Sequence, residues 1–191
     1  MRTFVLLSLI ALLASACKQN SLPQIEIHTR LGNIVLELDT VNAPITAKNF
    51  LSVVKQGILN QSSFYRVVRT DNQTQSDIKI EVVQGGLLHD SIIDQYPTIA
   101  HETTAQSGIM HLDGVISMAR YEPGTASTEF FICVGAQPSL DFGGGRNRDS
   151  QGFAAFGRVI SGMDIVRQIQ QMKDNQQMLI APVSIINIRT L

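Results

Sequence analysis

The sequence predicts a mainly β fold, a closed antiparallel barrel capped by two helices. Three observations lead there. Short alternations of apolar and polar residues recur from Ile25 to the C-terminus. Only two stretches carry helical spacing. No internal repeat or linker divides the chain, so one set of strands must share one core, and closing the sheet removes its unpaired edges. A length of 191 residues suits one domain. With 44% apolar residues, the chain can bury a real core.

The N-terminal segment stands apart. Arg2 supplies a positive charge and Phe4 to Ala16 is almost wholly apolar. That run is shorter than the roughly 20 residues a bilayer-spanning helix needs, and it fits the apolar region of a signal peptide. The small residues Ala14, Ser15 and Ala16 lead to Cys17 at the expected cleavage point. This resembles a bacterial lipoprotein lipobox, with Cys17 as the lipidated mature N-terminus. Ala14 departs from the Leu usual three residues before the Cys, and Leu13 lies one step earlier. An ordinary secretory signal followed by a chance Cys is the competing reading. The expected organisation is a signal peptide over 1–16, a lipidated Cys and tether over 17–24, and a globular domain over 25–191. The expected location is the bacterial periplasm, lipid-anchored to the membrane. Lys18 is not the Asp that marks retention at the inner membrane in that family pattern, which weakly favours the outer membrane.

The elements follow in order. Ile25/Ile27 and Ile34/Leu36/Leu38 alternate on either side of Thr29 to Asn33, a hairpin signal with Gly32 inside it. Pro44 to Lys55 has helical spacing, with Asn42 as a candidate cap and Gly57 as a terminator. Phe64 to Val68 and Ile78 to Gln84 read as strands around a polar loop, Arg69 to Asp77. Alternation places Phe64, Arg66 and Val68 on one face, and Ile80, Val82 and Gln84 together. Val115 to Ala119, Phe130 to Val134, Phe153 to Val159 and Val183 to Ile188 complete the strands. Met163 to Met172 is the second helix, and Asp141 to Gly152 is an irregular, glycine-rich loop.

Several chemistries are disfavoured. Fifteen basic and sixteen acidic side chains give a net charge of −1, unlike the basic field of a nucleic-acid binder. Two cysteines make neither a disulfide scaffold nor a four-Cys zinc site, and Cys133 in an apolar run reads as a buried structural thiol. His101-Glu102 starts a zinc-protease motif, but residue 105 is Ala; all four histidines read as surface or loop residues. Gly143-Gly144-Gly145-Arg146 lacks the Lys-Ser/Thr and the helix of a phosphate cradle. No Ser, Cys or carboxylate has the sequence neighbours of an activated nucleophile.

What remains is an arginine on a strand among apolar neighbours. Phe64-Tyr65-Arg66-Val67-Val68, Gln84-Gly85-Gly86, Gly114 to Arg120, Glu129-Phe130-Phe131-Ile132-Cys133 and Phe156-Gly157-Arg158-Val159 occur in order, with Ala43-Pro44 and Asn49-Phe50 ahead of them. Together they resemble the cyclophilin family of peptidyl-prolyl cis-trans isomerases, from about Ile25 to the C-terminus. The resemblance implies an eight-stranded antiparallel barrel capped by two helices. It implies an enzyme that turns Xaa-Pro bonds, with no cofactor and no metal, and proline-containing polypeptides as substrates. It implies Arg66 and Gln84 as the catalytic pair. Val82, Phe131, Leu140 and Phe153 would form a slot for the proline ring with Met118 close by, and backbone groups at Ala119 and Arg120 would pair with the substrate. On strand alternation, Phe130 belongs to the barrel core and Phe131 to the slot.

Departures from the family pattern are specific. The link over 69–83 is long, and Glu81 stands where an aromatic pocket residue is usual, so a less hydrophobic pocket is expected. Glu129 replaces the usual Gln, Phe153 stands where many relatives carry His or Tyr, and the loop over 141–152 is extended. Ser139 occupies the position of the Trp associated with strong cyclosporin binding, so weak binding of that drug is expected. The leading functional expectation is an envelope prolyl isomerase that assists folding of exported proteins. The alternative is a non-catalytic peptide-binding chaperone or scaffold using the same groove.

Overall fold

The computed structural model describes residues 21–191. The expected signal segment 1–16 and Cys17 lie outside the described residues. Nine strands form one antiparallel sheet: β1 Gln24–Thr29, β2 Gly32–Leu38, β3 Ser63–Val68, β4 Val82–Gly86, β5 Val115–Met118, β6 Phe130–Cys133, β7 Ala154–Ser161, β8 Asp174–Asn175 and β9 Met178–Thr190. The order is β1-β2-β7-β5-β6-β4-β3-β9, and β9 pairs back on β1 through Ile27↔Ile188. Eight strands thus close a barrel, and β8 is a short addition hairpinned to β9. The two expected helices are α1, Pro44–Lys55, and α4, Met163–Gln170. Two single-turn helices join them, α2 Asp90–Ile93 and α3 Thr104–Ser107. No helix among the described residues is long and apolar enough to cross a membrane.

Alternation builds the interior. Ile25, Ile27, Ile34, Leu36 and Leu38 are fully buried there with Phe64, Phe130, Ile132 and Phe156. Phe50 from α1 packs edge-on against Phe130, with ring centroids 5.4 Å apart, and lies 5.1 Å from Phe156. Val166 and Ile169 of α4 join the same core. Edge-to-face aromatic packing adds about 1 kcal/mol per pair to area burial.

Helix α1 starts differently from the sequence expectation. Asn42 does not cap it; its side chain donates to Asp39 Oδ2 at 2.7 Å. Residue 43 is the N-cap, and the free amides of the first turn find their acceptor far along the chain. The buried carboxylate of Glu102 accepts Ile45 N–H at 3.0 Å, Thr46 N–H at 2.6 Å and the Thr46 hydroxyl at 2.7 Å. An anion is favoured at a helix N-terminus, where unpaired N–H groups point outward. Glu102, half of an abortive metal motif in the sequence, is therefore a distant helix cap. Glu102→Ala should cost about 2–3 kcal/mol of unfolding free energy, because two amides and a hydroxyl lose a charged acceptor in a buried place. Denaturant unfolding reads this directly, and an unchanged midpoint would refute the capping role.

The segment before β4 is also a correction. Residues 78–81 belong to no strand, and the strand begins at Val82. A buried side-chain amide substitutes for the missing neighbour: Gln73 Nε2 donates to Ile80 C=O at 2.7 Å, and its Oε1 accepts Ile80 N–H at 3.2 Å.

Candidate functional site

The site begins with a fault in β3. Regular alternation would put Phe64, Arg66 and Val68 on one face. The register of β3 against both β4 and β9 shifts between Phe64 and Arg66. This bulge at Tyr65 changes the phase. Phe64 and Val67 point into the barrel core, while Tyr65, Arg66 and Val68 line an external cleft. A bulge re-aims side chains in this way and is frequent beside active sites.

The cleft has a volume of about 790 Å³. Its floor is a second apolar cluster separate from the barrel core: Val68, Ile80, Val82, Phe131, Cys133 and Leu140, with Phe153 and Ala119 at its margin. Phe130 and Phe131 divide as alternation requires, one to each cluster. Phe153 meets Phe131 edge-on at 5.3 Å, and the Arg120 guanidinium lies 5.3 Å from the Phe153 ring. Asp149 holds that guanidinium by bonds of 2.8 and 3.0 Å. Met118 is not at the cleft. It lies inside the barrel core, 1% exposed, because β5 turns its even-numbered residues inward. The Ala119 N–H donates to Glu129 C=O at 2.9 Å, which leaves its carbonyl as the group it can offer a ligand. Ile80 takes a place in the cleft wall beside Val82, so the pocket stays apolar although residue 81 is Glu.

Arg66 is held from two sides. Its Nη1 donates to Gln84 Oε1 at 2.8 Å, across the β3–β4 ladder where the two residues are directly paired. Its Nε and Nη2 donate to Gln177 Oε1 at 3.1 and 2.6 Å. Gln177 sits in the tight turn between β8 and β9, with φ of +50° at Gln176 and +74° at Gln177. Such a turn ordinarily takes Asn-Gly, since both central residues must adopt positive φ. Asp174 supports it by accepting Gln177 N–H at 2.8 Å. Burial lowers the Arg66 pKa, yet a guanidinium stays charged. No sequence pattern identified Gln177, which lies 111 residues from its partner.

Gln84 continues the network. Its Nε2 donates to the Tyr65 hydroxyl at 2.7 Å, and that hydroxyl donates to Glu129. Glu129 also accepts Leu87 N–H at 2.5 Å. Gly85 and Gly86 make room for this arrangement. A Cβ at Gly85 would meet the Phe64 and Phe130 rings, and one at Gly86 would come within 2.1 Å of Glu129 Oε1. Burial raises the pKa of Glu129, and burial together with the Glu129 charge raises that of Tyr65.

Beneath Phe131 lies an arrangement the sequence did not disclose. His111 Nδ1 meets Asp141 Oδ1 at 2.7 Å, and Nε2 meets Ser117 Oγ at 3.0 Å. The connectivity is that of a nucleophilic triad, contrary to the reading that no Ser has activating neighbours. Ser117 is 0% exposed, however, and no substrate atom can reach it. The imidazole stacks against Phe131, with centroids 6.0 Å apart and planes at 16°. His111 is therefore a buried support for the cleft floor, not a surface residue. Cys133 is fully buried too, and burial raises its thiol pKa. No cluster of His, Cys, Asp or Glu among the described residues could hold a metal.

The sequence profile described as "Cyclophilin type peptidyl-prolyl cis-trans isomerase/CLD" matches residues 24–190. The chain belongs to the cyclophilin family. A peptidyl-prolyl cis-trans isomerase of Acinetobacter baylyi is 32% identical over 171 residues, covering 86% of this chain and 84% of the relative. Peptidyl-prolyl cis-trans isomerase A of Dickeya dadantii is 35% identical over 146 residues, covering 76% and 70%. Among solved structures, a cyclophilin-type isomerase of Cryptosporidium parvum superposes with a TM-score of 0.70 at 19% identity, covering 88% of this chain and 97% of that one. The same protein was also solved in the presence of the dipeptide Ala-Pro, with a TM-score of 0.69. The eight-stranded cyclophilin barrel and peptidyl-prolyl cis-trans isomerase activity follow for this chain.

Proposed function

We propose that this cyclophilin is a lipid-anchored isomerase of a bacterial cell envelope, and that it speeds the folding of exported polypeptides at Xaa-Pro bonds. The observation that carries the catalytic part is the Arg66 guanidinium, fixed by two amide oxygens beside an apolar slot. Rotation about an Xaa-Pro bond crosses about 18–20 kcal/mol, much of it lost amide resonance. In the twisted state the proline nitrogen regains a localised lone pair, and a donor aimed at it stabilises that state more than the planar one. Arg66 is the donor in this reading, and Gln84 positions it and meets the substrate backbone. Val82, Phe131, Leu140 and Phe153 receive the proline ring. The carbonyl of Ala119 and the backbone of Arg120 pair with the extended chain. A structural neighbour solved in the presence of the dipeptide Ala-Pro supports proline-containing polypeptides as substrates.

The envelope location rests on Arg2, the apolar run Phe4 to Ala16 and Cys17, and bacterial relatives are compatible with it. Lys18 favours the outer membrane. With Ser139 in place of a Trp, binding of cyclosporin is expected to be weak. Expression of the full chain in a Gram-negative host tests the anchor. Wild type should fractionate with membranes and take up labelled fatty acid, while Cys17→Ser should lose the label and leave the membrane fraction. Equal partition of both proteins would overturn the anchor and leave the isomerase assignment standing.

A further inference from the structure

Both ends of the network behind the active arginine are one-way. A guanidinium only donates hydrogen bonds, and an ionised carboxylate only accepts them. Arg66 therefore requires the oxygen of the Gln84 amide, and an anionic Glu129 requires the proton of the Tyr65 hydroxyl. With its proton committed to Glu129, Tyr65 can receive only from the NH₂ end of Gln84, which is the bond present at 2.7 Å. Amide orientation, otherwise a choice of two, has one solution. We propose that Glu129 and Tyr65 are positioning residues of this isomerase: the buried carboxylate, through the tyrosine hydroxyl, locks the Gln84 amide so that its oxygen faces Arg66. The proposal rests on the reading of Arg66 as the group that touches the reacting bond.

Protonation of Glu129 removes the constraint. A carboxylic acid can donate to the Tyr65 oxygen, the tyrosine proton is then free to turn toward Gln84, and the amide can flip. A flipped amide presents NH₂ to a guanidinium, donor against donor. Glu129 is 8% exposed, and it is burial that opposes its ionisation. Tyr65 from β3 contacts it directly. Asp90 and Asp94 from the α2 segment, Tyr96 after it and Tyr121 beyond β5 line the same cleft. Three guanidinium groups line the cleft, Arg66 at the far end of the relay together with Arg120 and Arg146. Burial holds the Glu129 carboxyl above the ordinary carboxylate range, while its bonds from Tyr65 and Leu87 work in the opposite direction. Above the raised pKa the relay is fixed and the enzyme fully active; as pH falls through it, activity declines.

Two readouts on the folded protein test this. The first is the pH profile of kcat and KM for a proline-containing peptide, in wild type, Tyr65→Phe and Glu129→Gln. Both variants should lower kcat at neutral pH by about three- to tenfold, the worth of one hydrogen bond, with KM little changed. Both should also lose the acid decline seen in wild type. Wild-type kcat together with an unaltered acid decline in both variants would overturn the proposal. The second readout is the NMR signal of the Gln84 side-chain NH₂, which needs no turnover. In wild type it should shift with the Glu129 titration, and in Tyr65→Phe it should not. A shift that persists in Tyr65→Phe would overturn the relay. If Arg66→Ala isomerises as fast as wild type, the reading of Arg66 fails, and the Gln84 signal still decides the relay.

Discussion

Arg66→Ala should lower kcat/KM for peptidyl-prolyl isomerisation by about 10- to 150-fold, with most of the loss in kcat. The magnitude is that of one charge-assisted hydrogen bond to the transition state, about 1.5–3 kcal/mol, at about 1.4 kcal/mol per factor of ten. The loss belongs in kcat because planar Xaa-Pro offers the guanidinium little; the nitrogen becomes a good acceptor only as the bond twists. Stability should change little by comparison. The guanidinium is half-buried and bonds to two amides that can reach water once it is gone. Steady-state kinetics on purified protein measures the effect, and a variant with wild-type kcat would remove Arg66 from the mechanism.

Phe131→Ala should act on binding and stability at once. The ring is 4% exposed, lies at the centre of the cleft floor, stacks on His111 and receives the edge of Phe153. Truncation leaves a hole where a ring was, at a cost of about 3–4 kcal/mol in unfolding free energy. If the proposed slot receives the proline ring, the substrate loses its main apolar contact and KM should rise by about tenfold or more. Phe131→Leu keeps most of the volume and separates the two effects. It should recover most of the stability while KM stays elevated. An Ala variant with wild-type KM would mean that the proline ring binds elsewhere.

The fold was legible where local pattern and tertiary structure agree. Ile25/Ile27 and Ile34/Leu36/Leu38 alternate, and they are the barrel interior. The division of Phe130 from Phe131 followed from the same period of two, and it separates the two apolar clusters. Alternation failed at Tyr65 for a definite reason. A bulge is a property of register against the neighbouring strand, and the sequence of β3 alone carries no sign of it. The same fault explains why Tyr65 joins Arg66 in the cleft and Phe64 does not. Other features were hidden by distance along the chain. Glu102 caps a helix 56 residues before it, Gln177 holds an arginine 111 residues before it, and Asp141 reaches back 30 residues to His111. Side chains of this kind are brought together only by barrel closure. The two long loops illustrate the point again. Arg146 from the 141–152 loop donates to the Ile78 carbonyl at 2.6 Å, and this contact ties together two insertions that border the cleft.

Exchange NMR on a proline-containing peptide bound to the protein yields the rate of cis–trans interconversion on the enzyme separately from binding. The expected result is fast interconversion on wild type and a rate at least tenfold slower on Arg66→Ala, with peptide affinity nearly equal in the two proteins. Equal on-enzyme rates in both would contradict a guanidinium acting on the twisted imide.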